Sequence, residues 1–142
     1  MRERVVEEFM TANPVCVALD TPVHGAHAAM RGANVRHLVV MDGERLAGVV
    51  SQRDLYLIET LTDADPASAI VEEAMSAEPY IVSPMTSLAE VAKTMWRERH
   101  SSALVVRNEQ VVGIFTALDA LHALADLLAL DVDEVVDQTL DD

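Results

Sequence analysis

Val6-Glu7-Glu8-Phe9-Met10 returns 65 residues later as Val71-Glu72-Glu73-Ala74-Met75, and this recurrence decides how the 142-residue chain is read. The offset then holds without a gap. Pro14 matches Pro79, Val17 matches Val82, Thr21 matches Thr86, Met30 matches Met95, Val40 matches Val105, Glu44 matches Glu109, Gly48 matches Gly113 and Asp54 matches Asp119. With Ala12 and Ala77, thirteen of the fifty positions in 6–55 are identical in 71–120. Average residue usage gives roughly three such matches by chance, so the chain is a duplication of one unit.

Each copy reads as the same series of elements. Val5, Val6, Phe9 and Met10, like Ile70, Val71, Ala74 and Met75, have the spacing of one helical face. A short strand follows a proline at Val15-Cys16-Val17 and at Tyr80-Ile81-Val82. Thr21, with Pro22 at the first helical position, and Thr86 are read as N-caps of a second helix, whose apolar faces are Val23, Ala26, Met30 and Leu88, Val91, Met95. Two apolar runs come next, 38–41 with 46–50 and 103–106 with 111–115, parted by Asp42-Gly43 or by Asn108. A last helix begins near Gln52 and near Ala117, the latter carrying Leu118, Leu121, Ala125 and Leu128 at helical spacing. The expected organisation is therefore an α/β fold of the order helix, strand, helix, strand, strand, helix, given twice. Repeat 1 spans 1–61, a linker 62–66, repeat 2 67–130, and 131–142 forms an acidic C-terminal helix or tail. In that last segment Asp131 and Glu134 are spaced as a capping box.

Half of the residues are apolar, enough for a good core in one compact body and too little for two large independent domains. No apolar stretch is long enough to span a bilayer, because His122 and Asp126 interrupt the greasiest segment. The single cysteine, Cys16, excludes an internal disulfide and a CxxC site, and it is expected to act as a small buried hydrophobe. A cytoplasmic location follows from these features. A net charge of −14 argues against nucleic acid or an anionic membrane as a partner. The charge is uneven, since residues 119–142 hold eight acids and no Lys or Arg follows Arg107. The remainder, at −6, leaves room for a local anion site.

The sharpest local motif is Gly48-Val49-Val50-Ser51-Gln52-Arg53-Asp54, repeated as Gly113-Ile114-Phe115-Thr116-Ala117-Leu118-Asp119 at the same strand-to-helix junction. A hydroxyl at a helix start stands beside unpaired N–H groups that favour an anion, and a carboxylate one turn on can accept two hydrogen bonds from a ribose diol. The glycine is expected to leave room for a ligand against the strand. Ser-x-x-Asp and Thr-x-x-Asp also describe ordinary helix capping.

The tandem arrangement, the opening Met10-Thr11-Ala12-Asn13-Pro14-Val15, the strand Arg36-His37-Leu38-Val39-Val40 and the closing Gly-x-x-Ser/Thr-x-x-Asp together resemble cystathionine-beta-synthase (CBS) domains, over about residues 5 to 125. The resemblance implies a Bateman-type module in which two repeats pack sheet to sheet with pseudo-twofold symmetry. Such a module has two clefts for AMP, ADP, ATP, S-adenosylmethionine or similar adenosyl ligands, and it commonly assembles as a homodimer. Carried over by position, Asp54 and Asp119 hold ribose hydroxyls, while Ser51 and Thr116 contact phosphate or ribose oxygens. Backbone around Val15 to Val17 and Tyr80 to Val82 reads the adenine edge, with His37 and Ser102 lining the clefts. Arg53 offers a charge for phosphate where the second copy has Leu118. Two departures stand out. Val39 occupies a position usually held by proline, and Ser101-Ser102-Ala103 replaces the basic Arg36-His37-Leu38, so the two clefts are expected to differ.

Other residues carry less. His24 and His27 lie three apart on a helix, but no third or fourth ligand for a metal is evident in the sequence. His100 and His122 stand alone, and Trp96 fits either a core or a dimer surface. There is no nucleophile–base pair and no Walker-type loop. The expected function is thus a non-enzymatic regulatory sensor of an adenosyl compound, requiring no cofactor and acting through a homodimer or a protein partner. The alternative is a ligand-independent scaffold that docks a partner through its acidic C-terminal segment.

Overall fold

The computed structural model describes residues 3–62 and 67–140, so most of the expected linker 62–66, together with Asp141 and Asp142, lies outside the described residues. A 3-10 turn (Val6–Glu8) leads into β1 (Thr11–Ala12), β2 (Cys16–Ala18), α1 (Val23–Ala33), β3 (His37–Asp42), β4 (Arg45–Ser51) and α2 (Gln52–Thr62). A second 3-10 turn (Val71–Glu73) then precedes β5 (Ile81–Val82), α3 (Leu88–Glu98), β6 (Ser102–Arg107), β7 (Gln110–Thr116) and α4 (Ala117–Leu140). The fold is mixed α/β, with one three-stranded sheet ordered β2-β3-β4 and one four-stranded sheet ordered β1-β7-β6-β5.

The chain divides into two compact units, Asn13–Pro79 and Met1–Ala12 with Tyr80–Asp142. Packing units and sequence repeats therefore differ by the opening segment of each repeat. Backbone bonds explain the exchange. Val6 N–H donates to Thr86 O at 2.9 Å, Leu88 N–H donates to Arg4 O at 2.8 Å, and β1 pairs antiparallel with β7. In the other unit Val71 N–H donates to Thr21 O and Val23 N–H to Ala69 O, both at 2.8 Å, and Ser76 bridges to Val49.

Each unit has its own core. In Asn13–Pro79 it centres on Val23, Ala26, Met30, Leu38, Val40, Val50, Leu55 and Val71. In the other unit it centres on Val6, Val91, Ala103, Val105 and Phe115. The apolar helical faces read from the sequence for α1 and α3 are the buried ones.

Several local expectations are corrected. The helical spacing at Val5–Met10 and Ile70–Met75 folds as single 3-10 turns, closed by Glu8 Oε2 accepting from Val5 N–H and Glu73 Oε2 from Ile70 N–H, each at 2.8 Å. The N-caps of α1 and α3 are Pro22 and Ser87, one residue past Thr21 and Thr86. Ser87 Oγ accepts from Glu90 N–H, whereas Thr86 Oγ1 accepts from Ser83 N–H and closes the preceding turn. No separate terminal helix starts at Asp131, because α4 runs unbroken to Leu140. Cys16 is exposed rather than buried, since the alternation along β2 turns Val17 inward and its neighbours out.

Candidate functional site

The sheet registers bring most of the candidate residues together at one end of each sheet. In the unit Asn13–Pro79, β2 runs parallel to β3 and β4 returns antiparallel, so the starts of β2 and β3 share an end with the finish of β4. His37 sits directly opposite Ser51, and Gln52 N–H donates to Arg36 O at 2.9 Å where α2 departs. Ser51 and Asp54 cap that helix start reciprocally. Ser51 N–H donates to Asp54 Oδ2 at 2.9 Å, and Asp54 N–H donates to Ser51 Oγ at 3.1 Å. Asp54 is half-buried, and among the described residues its Oδ1 accepts no hydrogen bond. Arg53 is exposed one residue before it.

The second unit repeats this plan. Ser102, buried, is paired with Thr116 across β6 and β7. Thr116 N–H and Oγ1 both donate to Asp119 Oδ2, at 2.9 and 3.2 Å, and Asp119 N–H donates to Thr116 Oγ1 at 3.4 Å. Here the other carboxylate oxygen is occupied too, because Thr11 Oγ1 donates to Asp119 Oδ1 at 3.0 Å. Tyr80 stacks on His100 with centroids 5.3 Å apart.

β2 and β5 are edge strands, which is what backbone recognition of an adenine edge requires. Val15 O accepts from Val39 N–H, and Tyr80 O accepts from Leu104 N–H, at 2.9 and 2.8 Å. Those carbonyls are spent inside the sheets. Alternation in a parallel ladder leaves Cys16 and Ile81 to turn their own N–H and C=O groups off the edge. The side chains of Val15 and Val17 pack against the core, and Val82 belongs to it.

The expected role of the motif glycines is corrected. A Cβ on Gly48 would strike the carbonyl oxygen of Ser76, and one on Gly113 would strike the Met10 side chain. The space beside each glycine is filled by the opening segment of the exchanged repeat. Thr11 was not anticipated. Its signal was present in the repeat itself, since a hydroxyl follows methionine in both copies, as Met10-Thr11 and Met75-Ser76.

His27 Nε2 lies 3.0 Å from Glu59 Oε1 and its ring meets Tyr56, which links α1 to α2. No cluster of three or more metal-ligating side chains occurs among the described residues. At the places 65 residues on, the second unit has Ala92 and Leu124, and an open groove of about 560 Å³ runs between α3 and α4 there. Ala89, Ala92, Ala120, Ala123, Leu124 and Leu127 line it, and none of the candidate site residues does. Trp96 lies one turn beyond Ala92, 81% exposed, and Leu118, Leu121 and Leu128 form an exposed stripe on α4. No helix among the described residues is long and apolar enough to cross a membrane.

Two sheets, each ending at an edge strand and a capped Ser/Thr-x-x-Asp helix start, define a tandem-repeat architecture. The CBS domain family matches residues 6–58 and 71–126, and the chain belongs to that family. An uncharacterized protein of Bacillus subtilis (strain 168), YlbB, is 33% identical over 117 residues, covering 80% of this chain and 78% of its own. Inosine-5'-monophosphate dehydrogenase of Korarchaeum cryptofilum (strain OPF8) is 28% identical over 117 residues, 82% of this chain but 23% of the dehydrogenase. The chain therefore spans under a quarter of that enzyme's length. Among solved structures, the CBS domain pair of protein MJ0100, in complex with 5'-methylthioadenosine and S-adenosyl-L-methionine, superposes with a TM-score of 0.79 at 20% identity, covering 88% of this chain and 98% of that one.

Proposed function

We propose that this protein is a non-catalytic regulatory module of the cytoplasm that senses an adenosyl compound of the AMP, ADP, ATP or S-adenosylmethionine class. The observation that carries the reading is the Ser51–Asp54 junction. A half-buried carboxylate with an open oxygen stands at the start of a helix, at the same sheet end as the edge-strand backbone of Cys16 and as His37. An open carboxylate oxygen suits ribose hydroxyls, the α2 start and Arg53 suit phosphate, and the outward groups of Cys16 suit an adenine edge. The adenosyl ligands bound by the MJ0100 pair support the same class. Occupancy regulates only if the ligand prefers one arrangement of the module or its assembly over another. The assembly proposed is a homodimer.

Calorimetric titration with ATP, ADP, AMP and S-adenosylmethionine tests the reading. At least one is expected to bind, and to bind more weakly to Asp54→Asn. Absence of heat with all four overturns it. The unbroken α4, with its exposed leucines and acidic end, supports a second reading as a ligand-independent scaffold for a partner protein. Deleting 131–142 abolishes partner capture on that reading and leaves it intact on the first.

A further inference from the structure

The two ribose carboxylates differ in how much of their hydrogen-bonding capacity the protein already uses. A carboxylate offers about four acceptor positions, two on each oxygen. Asp54 spends one, on Ser51 N–H. Asp119 spends three: Thr116 N–H and Thr116 Oγ1 fill Oδ2, and Thr11 Oγ1 takes one position on Oδ1. A ribose diol brings two O–H donors, so Asp54 can receive both while Asp119 has room for one.

Thr11 is held where it can do this. It lies on β1, paired with Ile114 of β7, so its backbone cannot withdraw without breaking the sheet. Its counterpart Ser76 bridges to Val49 through the backbone, at 2.9 and 3.1 Å, but among the described residues its hydroxyl donates nothing to Asp54. The difference therefore resides in one side-chain hydroxyl, contributed by the opening segment of the first repeat, which packs into the second unit.

We infer that Thr11 is a positioning residue that sets ribose selectivity in the second unit, making that site a single-hydroxyl reader that accepts deoxyribosyl or ribose-substituted adenosyl compounds. The first site, by contrast, has room to read both hydroxyls of the diol. This rests on the adenosyl reading above and extends it to the kind of ribose each site takes.

The test uses the full chain carrying Asp54→Asn, which leaves the second site as the one under study, and titrates adenosine, 2'-deoxyadenosine and 3'-deoxyadenosine by calorimetry. With Thr11 present, one of the two deoxy compounds is expected to bind within about twofold of adenosine, because only one hydroxyl is read. Adding Thr11→Val frees Oδ1, and both deoxy compounds then bind roughly tenfold more weakly than adenosine. Thr11→Ser keeps the hydroxyl and should match the parent, which a loss of strand packing alone would not restore. Unchanged ratios in Thr11→Val, or equal discrimination against both deoxy compounds in the parent, overturn the inference and leave the adenosyl reading standing. Failure of adenosine to bind the unmutated protein and every variant overturns the inference, and absence of heat with ATP, ADP, AMP and S-adenosylmethionine as well overturns both.

Discussion

Ser51 and Asp54 hold each other at the start of α2, each backbone N–H donating to the other's side chain. The pair that the proposed ligand uses is therefore also a structural cap, and the two roles separate by choice of substitution. Ser51→Ala leaves Asp54 N–H unpaired and is expected to cost about 1 kcal/mol in urea unfolding. Asp54→Asn retains an oxygen acceptor for Ser51 N–H and should cost less than Asp54→Ala, while still weakening ligand binding. Equal stability losses for the Asn and Ala variants would contradict the cap.

Gly48 and Gly113 occupy equivalent positions but face different neighbours, backbone Ser76 O in one case and the flexible Met10 side chain in the other. Gly48→Ala forces the backbone to move and is expected to destabilise by about 2 kcal/mol or more, whereas Gly113→Ala should cost less. Met10→Ala combined with Gly113→Ala should recover part of that loss, a coupling that a double-mutant cycle measures. Additive effects would show that Met10 is not what Gly113 accommodates.

Most of the element order was legible because the repeat supplies two independent readings of each element. The apolar faces of α1 and α3 and the paired runs of β3–β4 and β6–β7 follow directly from periodicity. What was not legible involves contacts remote in sequence. The exchange of opening segments depends on Val6 bonding near Thr86 and Val71 near Thr21, and no local pattern encodes it. The role of Gly48 follows from that exchange, and so does the reach of Thr11 to Asp119 across 108 residues. The α3 cap falls one residue past Thr86 because Thr86 and Ser87 both present a hydroxyl and only the turn at Ser83 decides between them, whereas α1 starts after Pro22 with no side-chain cap.

Cys16 projects from edge strand β2, exposed, with its thiol 3.6 Å from Pro14 O. Partial burial pushes the thiol pKa above its ordinary value. The unfolded chain therefore loses this proton at lower pH than the folded one, so the folded state binds more protons in between and stability falls as pH rises past the ordinary thiol range. Unfolding midpoints measured between pH 8 and pH 10 are expected to drop more for the native protein than for Cys16→Ser. Labelling with Ellman's reagent at pH 8 should be slower folded than in urea, because less thiolate is present.

Trp96 and the stripe of Leu118, Leu121 and Leu128 give the second unit an exposed apolar surface flanking the α3–α4 groove. Scattered exposed leucines are ordinary, but a run at helical spacing beside an aromatic marks an association surface. At the equivalent place in the first unit, His27 and Glu59 bridge α1 and α2. A second copy is the proposed occupant: α3 displays Lys93 and Arg97 as well as Glu90 and Glu98, and its Lys93–Arg97 side complements Asp126 on α4. A twofold contact that sets α3 of one copy against α4 of its partner pairs these opposite charges twice. On the proposed homodimer reading, the unmutated protein sediments as a dimer that raised salt weakens only modestly, and Trp96→Glu and Leu124→Glu are expected to sediment as monomers. Glu59→Ala breaks the bridge in the first unit and should leave the sedimentation coefficient unchanged. Dissociation by Glu59→Ala but not by Trp96→Glu would move the interface to the first unit's helices.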